Sequence, residues 1–349
     1  MTTNMMKTVI TKQSTAKIHV FVPTYNHGIA ALDCHVDIIS VNGPSLGLRG
    51  EQTGLSWMEI GRLIEIANGR NTQVFLQLNT VIHNRDIPLL RDMLDHAKQI
   101  GIAGIVFSDT AVLYQAKELT LTSEIALFLS TETTVTNNEM LRFWHQQGVA
   151  GFRLSRELNL DQLADMVACK QEERYQSIVF EVQIHGPIDI FHTLRPVLRN
   201  FQQHLHTEDK GHDTCDRQSQ ARNGTCNQRA ADKGDRICDQ EFAFKEEIRP
   251  DDLYRVQEDD RGTYIFSSKD ISLYPYLPQL LELDIDILKI VIHDRQSTAD
   301  MKKIIDFYQQ AMARILQHTF VAKSDWQQQL EAINQFPIEN TFIELGAPK

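Results

Sequence analysis

The sequence predicts an α/β fold, a (β/α)8 TIM-barrel-like single domain that carries one long polar insertion. Three observations lead there. Eight short apolar runs have the length and composition of strands, and segments with apolar residues at helical spacing separate most of them. Polar residues gather at the C-terminal ends of those runs, where parallel barrels present their ligand sites. An open doubly wound sheet is the alternative, and the count of eight favours closure.

After a polar lead-in at residues 1–16, residues 17–22 (KIHVFV) and 36–41 (VDIISV) read as the first two strands. The loop NGPSLGLRGEQTG follows and is too irregular for a phosphate-binding fingerprint. Ser56 and Glu59 have capping-box spacing ahead of Ile60, Leu63, Ile64 and Ala67, and Gly69 stops the helix. Residues 73–78 (QVFLQL) form the third strand. A helix from about 88 to 100 buries Leu90, Met93, Leu94 and Ala97, with Gly101 as its left-handed cap. Residues 102–107, 125–129 and 149–154 supply strands four to six. Asn137 or Asn138 caps the helix carrying Met140, Leu141 and Trp144, and Asn159 caps the next.

The seventh strand lies in the stretch FEVQIHGPIDIFH, residues 180–192, where Phe180, Val182 and Ile184 alternate with Glu181, Gln183 and His185. Gly186 stops it, and Pro187 is placed to open a helix at its first position. Residues 17–203 thus hold strands one to seven. Residues 204–247 have almost no aliphatic side chains and much mixed charge, the composition of an exposed or disordered insertion. Residues 253–256 and 262–266 form a small hairpin, a helix covers 273–282, and residues 286–292 (DILKIVI) are the eighth strand. An amphipathic helix at 299–316 closes the 248–318 segment, and a second at 325–333 lies in the 319–349 tail.

With 349 residues and 42% hydrophobic content the chain can bury a full core. Its net charge of −11 argues against DNA binding and other tight, sequence-independent contact with nucleic acid, which is driven by counterion release at Lys and Arg, but leaves room for a brief, local contact with RNA. No apolar run can span a bilayer, the opening residues lack the apolar core of a signal peptide, and five cysteines do not make a pairing framework. A cytoplasmic location without membrane contact is expected.

Asn79, Asp109, Thr131, Glu132, Arg156, Glu157, His185 and Lys289 lie at or near strand C-terminal ends, with Gln183 just below. Glu181 can serve as a general base or substrate anchor, or be held in a buried ion pair with Arg153 or Lys289. His185, Asp189 and His192 suggest a metal set, but with Pro187 between them only Asp189 and His192 would share a helix face, so no metal is expected. In the insertion only His212 with Cys215 has zinc-like spacing. No Gly-x-Ser-x-Gly elbow, HExxH helix or Cys-His protease signature is present, and Cys34 and Cys169 sit in or beside apolar stretches.

Several stretches resemble the collagenase-like U32 peptidase family: Asn79-Thr80 with His83-Asn84, LSTETTVTN at 129–137 followed by Arg142-Phe143-Trp144, and Ser155 to Leu158. Glu181 with His185-Gly186, Arg261 to Thr263, Ser268 to Asp270 and Leu288 to Ile290 continue the set in the family's order across nearly the whole chain outside the insertion. The resemblance implies a barrel-like domain. It implies either collagen-degrading peptidase activity or RNA modification, including hydroxylation of the tRNA wobble uridine to 5-hydroxyuridine, and in other relatives anaerobic ubiquinone hydroxylation. In several relatives cysteines after His-Gly and after Lys-Asp hold an iron–sulfur cluster. Here those positions are Asp189, Pro196 and Ser272, which cannot replace thiolates, so no cluster is expected.

The resulting expectation is a protein acting in tRNA wobble-uridine 5-hydroxylation, with tRNA as a transient partner. Glu181 and His185 are the expected catalytic pair, with Asn79, Thr131, Glu132, Arg156, Glu157, Gln183 and Lys289 binding substrate. The alternatives are a collagenase-like peptidase and a non-catalytic partner subunit of a cysteine-bearing paralogue.

Overall fold

The computed structural model describes residues 16–48, 54–208, 242–340 and 343–344. Seven strands follow one another in parallel: β1 (Lys17–Phe21), β2 (Ile38–Asn42), β3 (Gln73–Leu78), β4 (Gly104–Phe107), β5 (Ala126–Leu129), β6 (Gly151–Arg153) and β7 (Val179–Gly186). Then come β8 (Asp189–Thr193), β9 (Phe242–Lys245), β10 (Leu253–Asp259), β11 (Gly262–Phe266), β12 (Asp270–Ser272), β13 (Ile287–Val291) and β14 (Ile338–Glu339). β13 pairs in parallel with both β1 and β7, so the eight-stranded barrel closes.

Helices α1 (Tyr25–Asp33), α2 (Trp57–Asn68), α3 (Ile87–Ile100), α4 (Thr110–Glu118), α5 (Asn138–Gln146) and α6 (Leu160–Val167) connect the first seven strands. α7 (Val197–Glu208) follows β8, and α8 (Leu277–Glu282), α9 (Thr298–Leu316) and α10 (Trp326–Glu331) complete the set. Outward strand residues such as Val20, Ile39, Leu76, Ile105, Leu127 and Leu288 are buried against these helices. Inside the barrel a second apolar layer, Ile38, Phe75, Val106, Phe128 and Ile287, fills the N-terminal half. Burying that surface contributes roughly 25 cal/mol per Å².

Local signals are realised where they were expected. Ser56 and Glu59 form the capping box of α2, Asn137 accepts from the Met140 N–H at 2.9 Å, and Asn159 caps α6. Gly101 ends α3 at φ 81°. Helices α1 and α4 have no counterpart in the sequence reading. In α1, Gly28 sits mid-helix because a Cβ there would lie 2.8 Å from Leu63 on α2; this close approach makes a helix look like a loop in the sequence.

The expected helix after Pro187 is not formed. Residues 189–193 are instead β8, the edge of an antiparallel four-stranded sheet in the order β8-β11-β10-β9, because Thr193, His192 and Phe191 find partners in Thr263, Tyr264 and Ile265. This sheet packs on the barrel through Phe266 and Tyr264 against Leu48, and Arg261 bridges to Asp86 at 2.9 Å. Within the stretch read as an insertion, residues 204–208 belong to α7 and 242–245 to β9; residues 209–241 lie outside the described ones.

β7 carries a bulge. Gln183 faces Lys289 in the β7–β13 register, but the next partner of Ile290 is His185, so Ile184 and His185 together oppose one residue. Gly186 follows at φ 105°, and a Cβ there would sit 2.1 Å from the Val291 carbonyl oxygen. Gly186→Ala is expected to cost about 3 kcal/mol through combined strain and overpacking. A urea titration showing a loss under about 0.5 kcal/mol would contradict this account of the bulge.

Candidate functional site

The barrel interior changes character from bottom to top. Above the apolar layer, inward positions of β1, β6, β7 and β13 bring His19, Arg153, Glu181 and Lys289 together. Glu181 is completely buried. One carboxylate oxygen accepts from His19 Nδ1 at 2.6 Å and the other is in ion-pair contact with Arg153 Nε. The ion pair with Arg153, one of the two open readings of Glu181, is therefore present, with His19 as an additional partner.

Burial alone would push the Glu181 carboxyl up. The Arg153 guanidinium and His19 beside it outweigh that cost and hold it well below the usual carboxylate range. Burial lowers His19 to about 4 despite the pull of Glu181, so the ring is neutral and its Nδ1–H donates to the carboxylate. That leaves His19 Nε2, and likewise Arg153 Nη2, buried without a hydrogen-bond partner. Burial, reinforced by the Arg153 charge, also lowers the Lys289 ammonium to about 7; Glu181 and Glu132 offset only part of this.

Above this layer a cavity of about 40 Å³ opens at the strand C-terminal ends, with room for about three waters. Asn79, Thr131, Glu132, Arg156, Gln183 and Lys289 line it, so six of the nine expected site residues are brought together. Asn42, Gln77 and Asp189 line it as well. Gln183 donates to the Pro187 carbonyl at 2.9 Å, which fixes its amide across the β7–β8 break. Asn79 accepts from the Leu48 N–H at 3.0 Å, tying the loop after β2 to the rim. Arg156 Nη2 reaches Thr131 Oγ1 at 3.4 Å.

The other three expected residues are elsewhere. Glu181 lies beneath the cavity, Glu157 is exposed and accepts from the Ser155 hydroxyl, and His185 leaves the lining altogether. The bulge turns His185 to the outer face of β7, where Nδ1 meets the Tyr308 hydroxyl of α9 at 3.2 Å and Nε2 meets Asn334 at 3.3 Å. Burial lowers this ring too, to about 4. Around it Asp270 is held by His293 at 2.6 Å, Asn334 at 2.9 Å and Arg255 at 3.3 Å, a network joining β12 and β10 to the segments that follow β13 and α10. Asp109 caps α4 through the Ala111 N–H.

His19 was not among the candidates, although it alternates inward between Lys17 and Phe21 in KIHVFV. An imidazole in the middle of an otherwise apolar strand was the available signal. The metal set His185, Asp189 and His192 does not assemble: Asp189 lines the cavity, while His192 stacks on Tyr264 at 4.7 Å. No group of three or more potential ligands occurs among the described residues. The described residues do not fit an iron–sulfur cluster. Ser272 is bonded to the Tyr308 hydroxyl at 2.7 Å, Pro196 has no donor atom, and Cys34 and Cys169 follow α1 and α6 at the opposite end of the barrel. Cys215, Cys226 and Cys238, with His212, lie outside the described residues.

Comparison with known proteins gives a consistent set of matches. The family model for peptidase family U32 matches residues 24–348. The tRNA hydroxylation protein P2 of Bacillus subtilis is 25% identical over 330 residues, covering 93% of this chain and 92% of that protein. A collagenase of Porphyromonas gingivalis is 24% identical, covering 77% of this chain but only 59% of that protein. Among solved structures, the U32 peptidase Mk0906 aligns with a TM-score of 0.43 at 16% identity, covering 81% of this chain and 94% of that one.

Proposed function

This chain belongs to peptidase family U32, and from that premise we propose that it acts in tRNA hydroxylation, at the wobble uridine, with the barrel mouth as its ligand site. The observation that carries the reading is the end-to-end match to the tRNA hydroxylation protein P2, which leaves little of either chain over. The collagenase relative extends well beyond the matched region. The mouth is lined by amides, by the cations Arg153, Arg156 and Lys289 and by the carboxylates Glu132 and Asp189, groups suited to holding a polar, hydrogen-bonding ligand, and its described residues include no nucleophile–base pair of a known protease class.

In this reading Asn79, Gln183, Arg156, Thr131, Glu132 and Lys289 contact the ligand. Glu181 acts from beneath, fixing Arg153 and His19, and His185 holds the bulged end of β7 against α9. The small volume of the mouth favours a small ligand there, with tRNA meeting the protein transiently at the rim. A cysteine-bearing paralogue is the partner that would supply a cluster if the chemistry requires one.

Deleting the gene is expected to remove 5-hydroxyuridine-derived nucleosides from total tRNA, read by mass spectrometry of the digested nucleosides. An unchanged profile, together with gelatin cleavage by the purified protein, would replace this reading with the peptidase one.

A further inference from the structure

Lys289 is placed unlike the other cations of the mouth. It sits at the middle of β13, lines the small cavity, and its side chain makes no hydrogen bond or ion pair among the described residues. A carboxylate is close, yet both oxygens of Glu181 are already taken by His19 and Arg153. Charge for an anion is supplied by the two guanidiniums, Arg153 and Arg156, which line the same cavity. An amine adds one capability that a guanidinium lacks, a lone pair that becomes available when the proton leaves.

We propose that Lys289 captures a small aldehyde or ketone in the barrel mouth as a covalent imine. The amine lone pair forms the C–N bond while the carbonyl π pair moves to oxygen, which takes up the amine proton to give a carbinolamine. The nitrogen lone pair then forms the C=N bond as the hydroxyl leaves with an added proton as water. The product is a protonated imine and one water, with no change of oxidation state. Arg153, Arg156, Glu181, Glu132 and Asp189 are the charged groups that face or line this position. Burial and Arg153 hold the amine near neutrality, which is the condition for the first step.

This inference rests on the tRNA-hydroxylation reading only in taking the mouth as the ligand site. The test uses the full chain with glycolaldehyde and cyanoborohydride at pH 7, followed by peptide mass mapping. Lys289 should be labelled about tenfold or more faster than the exposed Lys98 and Lys303, since about half of an amine titrating near 7 is neutral there against well under a hundredth of an ordinary lysine. Its labelling rate should level off by about pH 8, while the others keep rising. Labelling of Lys289 no faster than that of the exposed lysines overturns the proposal. So does a Lys289→Arg variant whose total labelling equals that of the parent chain, because arginine keeps the charge and cannot form the imine. Labelling at Lys289 with an unchanged nucleoside profile on deletion would keep this inference and remove the tRNA reading.

Discussion

Glu181→Gln is expected to destabilise the protein by about 3–5 kcal/mol, among the largest losses available to one substitution in this fold. Glutamine is nearly isosteric, so packing is preserved and the change isolates the charge. Arg153 and Glu181 are both buried, at 2% and 0% side-chain exposure, with no water to take over the screening. Removing the carboxylate leaves a guanidinium inside the barrel with Lys289 nearby, and leaves one neutral acceptor oxygen where His19 and Arg153 each had an anionic one. The pair itself need not be strongly stabilising, because its formation has to offset the desolvation of two ions.

The double variant Arg153→Met with Glu181→Leu is accordingly expected to lose less than either single charge deletion. Urea titrations of Glu181→Gln, of the single variants Arg153→Met and Glu181→Leu, and of the double variant measure both effects. A Glu181→Gln cost under about 1 kcal/mol, or double-variant losses equal to the sum of the singles, would contradict a tightly coupled pair.

The second large effect is acid sensitivity at an unusually mild pH. His19 and His185 are both lowered from 6.5 to about 4 by burial. Between those values the unfolded chain binds protons that the folded chain refuses, so stability falls as the pH drops. The contribution is fully present above about 6.5, is lost progressively from there down to about 4, and amounts to roughly 3 kcal/mol per ring. Glu181, whose carboxyl is held below the usual range, adds its own loss only below the ordinary glutamate value of about 4.3.

The urea midpoint should therefore decline steeply between pH 6.5 and 5, ahead of carboxylate titration. In His19→Asn, whose amide still donates toward Glu181, about half of that slope should vanish. A midpoint that stays flat over the interval would show that neither imidazole is buried neutral.

Both effects involve the layer inside the barrel that holds Glu181 and His19, with His185 contributing from the outer face of β7, and that layer was only half legible in the sequence. The alternation of Glu181 and Gln183 in β7 pointed both inward, and Arg153 could be named as a partner because it too occupies an inward strand position. His19 could not be chosen over other polar strand residues until closure brought β1 beside β13 and β7. Sequence separation explains the difference: His19 and Glu181 are 162 positions apart.

The sequence by itself determined the eight barrel strands and their order, the caps at Ser56, Asn159 and Gly101 with a further one at Asn137 or Asn138, and a set of nine candidates of which six line the mouth. These rest on periods of two and 3.6 and on contacts within a turn, all encoded within a few neighbouring residues. Only the tertiary structure decided the fate of His185. The bulge at Ile184 and His185 exists because β7 must match β13 on one side and β12 on the other, and a one-residue slip sends a side chain to the opposite face. The same holds for β8, a segment whose Pro187 reads locally as a helix start but which pairs with β11 across the chain. Where long-range pairing supplies the hydrogen bonds, local preference gives way, and it did so at the two ends of Gly186-Pro187 that border the mouth.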